Sequence, residues 1–331
     1  MRSLRRSLLA CACAFWAGAA AAGPRDADFF NISDAHMTEP TAENGWRLSR
    51  DSVDVAKSVI ATVNKSRPDF VLFSGDVIEG KRYGMKSLKL ATETLSGVLP
   101  RWFVVPGNHD GHYVKKEATL DEFDKARFIE AFRGHGPEQG KGDWRYDVPG
   151  KEITLVGLNT SRDGESSGRL ERDQLEWLDK VLSEVAADRI VIVVMHHPAV
   201  VFDADIVEPS KKMLKIFVLE NGDDVRAVLE RHRVVKLVVS GHTHFAGHME
   251  KNGIQYVSTP SINSWPCRYA RFRLRAGTLS VSYESIPQAG LIEESRRGLL
   301  SGDSVWMEVF KSSDAVLRYF GKNTERFAVR L

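Results

Sequence analysis

Cysteine is nearly absent from this chain of 331 residues: it has three, and Cys11 and Cys13 both fall in the opening segment. Cys267 is left alone beyond that segment, which excludes an internal disulfide framework and a thiolate-rich zinc site. Beside Trp265 and Pro266 it reads as a small packed hydrophobe rather than a nucleophile. Excess charge of either sign is lacking too. Lys and Arg number 46 against 44 Asp and Glu, a formal net charge of +2, so the balance signals neither nucleic acid nor an anionic membrane as partner. No apolar run reaches the roughly 20 residues that a membrane-spanning helix needs. No repeat or low-complexity linker divides the chain after its opening segment.

That segment, "MRSLRRSLLACACAFWAGAAAAG", has a basic start (Arg2, Arg5, Arg6), an apolar stretch from Leu8 to about Ala20 and a small-residue end. It reads as a secretory signal over residues 1–22, cut near Ala20 to Gly23. Arg5-Arg6 is a partial match to a twin-arginine address, suited to a protein exported already folded. Leu8-Leu9-Ala10-Cys11 weakly resembles a lipoprotein cut site, although its apolar run before the cysteine is very short. The expectation is a periplasmic or secreted protein without stable membrane insertion after cleavage.

Short runs rich in Val, Ile and Phe recur along the rest: residues 28–34, 69–76, 101–110, 153–160, 189–198 and 234–244. Their length and composition predict strands buried on both faces. Helical periodicity separates several of them. Val53, Ala56, Val59, Ile60 and Val63 form one apolar face, closed by Pro68, and Leu170, Leu175, Leu178, Leu182 and Val185 form another. Residues 223–232 predict a shorter helix. This alternation predicts βαβ units and an α/β fold with a parallel or mixed sheet. After residue 253, "GIQYVST", "YARFRLRAG" and "TLSVSYESI" follow without helices and read as a meander. The glycine-rich stretch 133–150 reads as a surface loop. An amphipathic piece from Val305 to Phe320 lies in the tail.

The ends of the strands carry the chemistry. Asp34-Ala-His36 follows the first, Gly75-Asp76 the second and Gly107-Asn108-His109-Asp110 the third, while His196-His197 and His242-Thr-His244 follow later ones. In an open α/β sheet the carboxyl ends of strands gather at one edge, where ligands bind. The i, i+2 spacing of Asp34/His36 and His242/His244 would aim each pair the same way from extended chain. Glycines 75, 107 and 241 would allow tight turns. A single histidine at a strand end is ordinarily a hydrogen-bonded surface group, but five such clusters in order are not explained that way. Asp, His and Asn without cysteine form a nitrogen/oxygen donor set suited to Mn, Fe, Co or Zn. So many donors exceed one ion's needs and fit two ions about 3.5–4 Å apart, the arrangement used for in-line phosphoryl displacement.

The order Asp34-x-His36, Gly75-Asp76, Gly107-Asn108-His109-Asp110, His196 and Gly241-His242-x-His244 resembles the calcineurin-like metallophosphoesterases over roughly residues 27 to 285. The resemblance implies a four-layer αββα sandwich with two mixed β-sheets and a dinuclear metal site at strand carboxyl ends. It also implies that Asp34, His36, Asp76 and His244 hold one divalent ion, and that Asp76 bridges to a second held by Asn108, His196 and His242. Two such ions would lower the pKa of a bridging water so that hydroxide can attack phosphorus near neutral pH. Asn108 would bind the phosphoryl group. His109, next to a ligand but not one itself in this family, would stabilise the transition state or protonate the leaving oxygen, with Asp110 orienting it. Either His196 or His197 could be the ligand at that strand end, and His196 is preferred. His248 is read as a surface group or a support for the ligands. His112, His135 and His232 carry no assigned role.

Departures from sister groups narrow the activity. Glu79 stands where purple acid phosphatases place a tyrosine ligand. "GDVIEG" and "GNHD" lack the arginine with which protein Ser/Thr phosphatases hold a phosphoprotein. A nucleic-acid substrate has no strong signal. "YDVPGKEITLVGLNTS" and "GRLERDQLEWLDKVL" before "VVMHHPAV" resemble bacterial phosphodiesterases of the cyclic-nucleotide and glycerophosphodiester type. The expected function is an exported phosphodiesterase acting on a small phosphate ester. A broad-specificity phosphomonoesterase is the alternative, and a binding protein that has lost catalysis is the remote one. Loops 79–90, 111–120, 133–147 and 200–215 would line the mouth, with Tyr83, Tyr113, Trp144, Tyr146 and Trp265 available for stacking. Residues 23–285 are taken as the metallophosphoesterase domain and 286–331 as an extension packed on it. Oligomeric state has no sequence signature here.

Overall fold

In a computed structural model of the chain, residues 23–111, 121–137, 141–202, 217–322 and 326–331 are described, without the side chains of 81–83. The signal segment, His112, Tyr113, the Tyr83 side chain and most of the loops 111–120 and 200–215 lie outside the described residues. The strands form two six-stranded sheets. The first contains β1 (Ala27–Ile32), β2 (Phe70–Phe73), β3 (Trp102–Val104), β10 (Arg268–Arg275), β11 (Thr278–Ser285) and β12 (Phe327–Arg330), in the order β12-β11-β10-β1-β2-β3. The second contains β4 (Trp144–Asp147), β5 (Ile153–Leu158), β6 (Ile190–Met195), β7 (Val235–Ser240), β8 (Gly247–Lys251) and β9 (Ile254–Ser258), in the order β4-β5-β6-β7-β9-β8. Both are mixed: β1-β2-β3 and β5-β6-β7-β9 run parallel, and the flanking strands are antiparallel.

Alternation along the strands builds the layers. Phe70 and Leu72 of β2 join Ile192 and Val194 of β6 between the sheets, while Val71 and Phe73 face the helices. Helices α1 (Ser52–Ser66) and α2 (Gly80–Leu95) cover the first sheet through Val55, Val59, Val63, Leu88 and Leu95. α3 (Lys125–Ala131) adds Phe128 to the same cluster. α4 (Arg172–Ser183) and α5 (Gly222–Arg231) cover the second sheet through Leu178, Leu182, Val225 and Leu229. α1 stops at Arg67, left-handed at φ 48°, one residue before the proline that cannot continue a helix. This is the expected four-layer αββα sandwich.

Three local expectations are corrected. The 133–150 stretch contains β4, where Trp144 is buried between the sheets and donates its indole N–H to Val104 O at 2.9 Å. A four-residue edge strand is too short to show period-two patterning among glycines. Residues 80–95 are helix α2 rather than a mouth loop. The predicted meander splits: β9 pairs parallel with β7 in the second sheet, whereas β10 and β11 form a hairpin in the first.

After β11 the chain forms α6 (Ala289–Leu299), α7 (Val305–Phe310) and α8 (Ser313–Gly321), then adds β12 to the edge of the first sheet. The amphipathic piece is thus two helices, parted at Lys311, which is left-handed at φ 52°. Leu299, Val316, Tyr319 and Phe320 pack with Phe217 and Phe245 into a separate apolar cluster.

Candidate metal centre

Five strands, β1, β2 and β3 of one sheet with β6 and β7 of the other, end at the same edge. The residues after them converge, as the sequence predicts, but the backbone route differs. Asp34 and His36 are left-handed at φ 53° and 42°, Asp76 at 50°, and His242 and His244 at 67° and 58°. The i, i+2 pairs therefore converge from a sharply turned chain and not from extended strand. Left-handed backbone costs a non-glycine residue on the order of 1 kcal/mol or more and persists where its surroundings enforce it. Of the three glycines, only Gly75 needs a positive φ, 90°. Gly107 and Gly241 serve close approach: a Cβ at Gly107 would overlap Asp76, and one at Gly241 would overlap Ser33 and Asp34.

Two sets of donors share one carboxylate. His244 Nε2 lies 3.2 Å from Asp34 Oδ1 and 3.4 Å from His36 Nε2. Asn108 Oδ1 and His242 Nδ1 lie 3.1 and 3.2 Å from His196 Nε2. Asp76 Oδ2 stands between the sets, 3.7 Å from His36 Nε2 and 3.3 Å from His196 Nε2. All seven residues are buried except the half-buried His242.

The hydrogen bonds around these groups turn lone pairs inward. Ser74 O can only accept, so His196 Nδ1, at 2.8 Å, carries the proton that it donates there, and Nε2 faces Asp76. His244 Nδ1 is engaged by Ser264 Oγ at 2.7 Å, which turns its Nε2 toward Asp34 and His36. Such outer contacts set the orientation of metal-binding imidazoles. Asp34 Oδ2 accepts from the His242 N–H at 3.0 Å and from the Ser33 hydroxyl, while Asp34 Oδ1 is buried without a hydrogen-bond partner.

The electrostatics also call for a cation. Burial pushes the Asp76 carboxyl up, but His196 and His109 outweigh it and hold it well below its usual range. Burial likewise raises Asp34, and His244 and His196 bring it down to a net lowering. On His196, burial opposes charge, yet Asp76 and Asp34 pull its pKa up to about 9. Positive charge is therefore stabilised at His196 beside the two carboxylates, whereas burial lowers the pKa of His36 and His244 and favours the neutral imidazole that binds a metal ion. An orphaned carboxylate oxygen, two imidazole nitrogens facing each other and an all-nitrogen/oxygen donor set fit divalent metal ions.

His109 is held by Glu79, which the sequence marked only as the residue standing in place of a sister group's tyrosine ligand. Its Nδ1 lies 2.9 Å from Glu79 Oε1, and its ring stands edge-on to His36 with centroids 4.7 Å apart. Burial raises the Glu79 carboxyl, but His109 and Arg47 outweigh it and lower the pKa. The sequence suggested Asp110 as the orienter of this imidazole, but its side chain is engaged elsewhere. Its two oxygens accept from the backbone N–H groups of Ile78 and Gly107, at 2.9 and 2.8 Å. Asp110 thus clasps the turn that presents Asn108 and His109, and burial with repulsion from Asp76 raises its pKa to about 7. Spacing alone suggested the neighbour in sequence; the tertiary turn supplied Glu79 instead.

Other expectations separate in the same way. Both ring nitrogens of His197 are engaged, Nδ1 with Thr160 Oγ1 at 2.9 Å and Nε2 with Ser166 O at 3.2 Å. His196, rather than His197, meets Asp76. His248 bonds Gln255 Oε1 at 2.8 Å and stacks on Phe327 of β12, away from the site. Trp144 and Tyr146 pack on Phe103. The aromatic wall comes from elsewhere. Trp46 lies 5.6 Å from the His244 ring, and Trp306 of α7 meets Trp46 edge-on at 5.6 Å. Arg47 and Trp46 in the β1–α1 connection, and Ser264 after β9, had no motif to reveal them.

A family model described as calcineurin-like phosphoesterase matches residues 28–246. The chain is 28% identical over 219 residues to the glycerophosphodiester phosphodiesterase GpdQ of Enterobacter lignolyticus (strain SCF1), covering 65% of this chain and 69% of that one. It is 25% identical over 234 residues to the 3′,5′-cyclic adenosine monophosphate phosphodiesterase CpdA of Pseudomonas aeruginosa, covering 70% and 74% of the two chains. A crystal structure of a dimetal phosphatase from Danio rerio has a TM-score of 0.62 at 18% identity, covering 78% of this chain and 96% of that one. That likeness speaks for the fold.

Proposed function

The chain belongs to the calcineurin-like phosphoesterase family and is a metal-dependent phosphoric ester hydrolase, and we propose that it cleaves phosphodiester bonds in a small substrate at a dinuclear centre. The observation that carries the dinuclear reading is Asp76 Oδ2, set between His36 Nε2 and His196 Nε2 at 3.7 and 3.3 Å. Asp34, His36, Asp76 and His244 would hold one ion, and Asp76, Asn108, His196 and His242 the other. Mn, Fe, Zn and Co all suit these donors. The relatives named as phosphodiesterases support the diester preference.

Two ions held there would make hydroxide available near neutral pH and polarise the phosphoryl oxygens. The protein positions everything else. Asn108 directs its side-chain amide toward the phosphoryl group. Glu79 engages His109 Nδ1, so His109 would act on the leaving oxygen through Nε2, which Arg47 Nη2 contacts at 3.3 Å. Asp110 keeps the turn in register through its two backbone contacts. Export through the segment 1–22 belongs to the same reading, motivated by its basic, apolar and small-residue succession. Cell fractionation of tagged protein checks this, and retention of the intact segment in the cytoplasm would refute it.

The direct test is hydrolysis by Mn²⁺-loaded protein of bis(p-nitrophenyl) phosphate against p-nitrophenyl phosphate. A higher kcat/KM on the diester is expected. Clear preference for the monoester would overturn the diesterase reading in favour of a phosphomonoesterase.

A further inference from the structure

Arg47 lies thirteen residues after Asp34, in no metal-binding motif, yet its guanidinium reaches the metal cleft. Nη1 donates to Glu79 Oε2 at 2.7 Å, and Nη2 lies 3.3 Å from His109 Nε2. The plane stacks over the Trp46 ring, with Cζ 4.5 Å from its centroid. One carboxylate therefore holds both the imidazole and the guanidinium. The side chain is 20% exposed, so a ligand can reach it. Nε is buried with no hydrogen-bond partner.

A guanidinium has five N–H donors and no acceptor. Its contact with His109 thus requires the lone pair of Nε2, and the proton of that ring then lies on Nδ1, toward Glu79. This leaves Arg47 using a weak neutral acceptor beside an orphaned Nε–H. An anionic oxygen entering the cleft offers it a stronger, charge-assisted bond.

We propose that Arg47 is a substrate-anchoring residue that binds a non-bridging oxygen of the phosphate, beside His109 at the edge of the cleft. Glu79 positions it, and Trp46 supports its plane. This supplies, from the β1–α1 connection, the arginine that the Gly-Asp and Gly-Asn-His segments lack. The chemical class recognised is a phosphate ester or its phosphate product, and a dianionic monoester gains more from the contact than a monoanionic diester. The inference rests on the cleft being a phosphate-ester site.

The test compares parent, Arg47→Ala and Arg47→Lys proteins loaded with Mn²⁺, each checked for metal content and thermal unfolding. Inorganic phosphate binding is measured by calorimetry, and KM and kcat are measured on both p-nitrophenyl esters. In Arg47→Ala, phosphate affinity should fall about 10- to 100-fold, the range of a charge-assisted hydrogen bond, with metal content unchanged. KM should rise more for the monoester than for the diester, and Arg47→Lys should recover part of the loss. Arg50→Ala, which removes an exposed cation from the same connection, should bind phosphate like the parent. Unchanged phosphate affinity in Arg47→Ala, or a fall in kcat alone, would overturn the proposal. A parent that binds phosphate through Arg47 but does not cleave diesters would refute the diesterase reading and leave the anchor standing.

Discussion

At the carboxyl ends of β1, β2 and β7, five non-glycine residues hold left-handed backbone, and each is one of the proposed metal ligands. Around the cavity of about 920 Å³ beneath α8, lined by Trp265, Arg268, Ile292, Leu317 and Arg318 among others, no lining residue does. The cleft buries carboxylates and imidazoles and leaves a carboxylate oxygen unpartnered. The cavity lining has one carboxylate, Asp314, and no histidine. Single left-handed residues elsewhere, such as Arg67 and Lys311, end helices. In the cleft, left-handed backbone and an orphaned carboxylate oxygen fall on the same buried residue, Asp34, a coincidence of costs that tight packing alone would not require.

Substitutions can break or sharpen this contrast. The largest effect is expected from Asp76→Ala, which removes the carboxylate shared by both donor sets. Metal analysis should show loss of two-ion binding, and turnover should vanish; an active Asp76→Ala protein would disprove the mechanism. His109→Ala should keep the metals and lose about 10²- to 10⁴-fold in kcat, the usual contribution of a positioned proton donor. Loss of metal along with activity would mean that His109 acts as a ligand. Gly241→Ala should destabilise by about 2 kcal/mol or more in urea unfolding, since the new Cβ overlaps Ser33 and Asp34 and overpacking at a rigid site is costly.

Smaller effects lie outside the cleft. Burial raises the pKa of Asp143 to about 6, against hydrogen bonds from Gln174 and Asn159 that lower it. A carboxyl raised in the fold favours folding while protonated. Its contribution is complete below about pH 4, the unfolded value, and is lost as pH rises through about 6. Asp143→Asn should reduce the loss of unfolding free energy between pH 5 and pH 7 by about 1 kcal/mol, the part of a shift of this size that falls in that window. An unchanged pH slope would refute that assignment. Leu317→Ala, at the 920 Å³ cavity, should leave kcat/KM unaltered, and a changed diesterase rate would undo the contrast between the two regions.

The clustered donor residues were legible because metal chemistry restricts residue type and because each cluster sits directly after a β run. The strands of the parallel cores were legible for a similar reason, since burial on both faces makes them continuously apolar. Glu79 and Arg47 were not. Glu79 was noticed only as the residue replacing a tyrosine, and its bonds to His109 and Arg47 span 30 and 32 residues of chain. Asp110 was misassigned because adjacency in sequence says little about direction inside a turn. β4 was missed because four residues amid glycines carry no usable period, and the sheet to which β9 belongs depends on a crossover that no local pattern records.

By itself, the sequence determined the layer pattern, the donor chemistry and the order in which the strands deliver it. Those properties are local: periodicity decides which faces are buried, and donor type decides which ions are favoured. Only the tertiary structure decided which groups hold the ligands in place, where the turns carry strain, and that one carboxylate joins His109 to Arg47. Such relations depend on atoms brought within 4 Å from distant parts of the chain, and spacing along a sequence does not contain that distance.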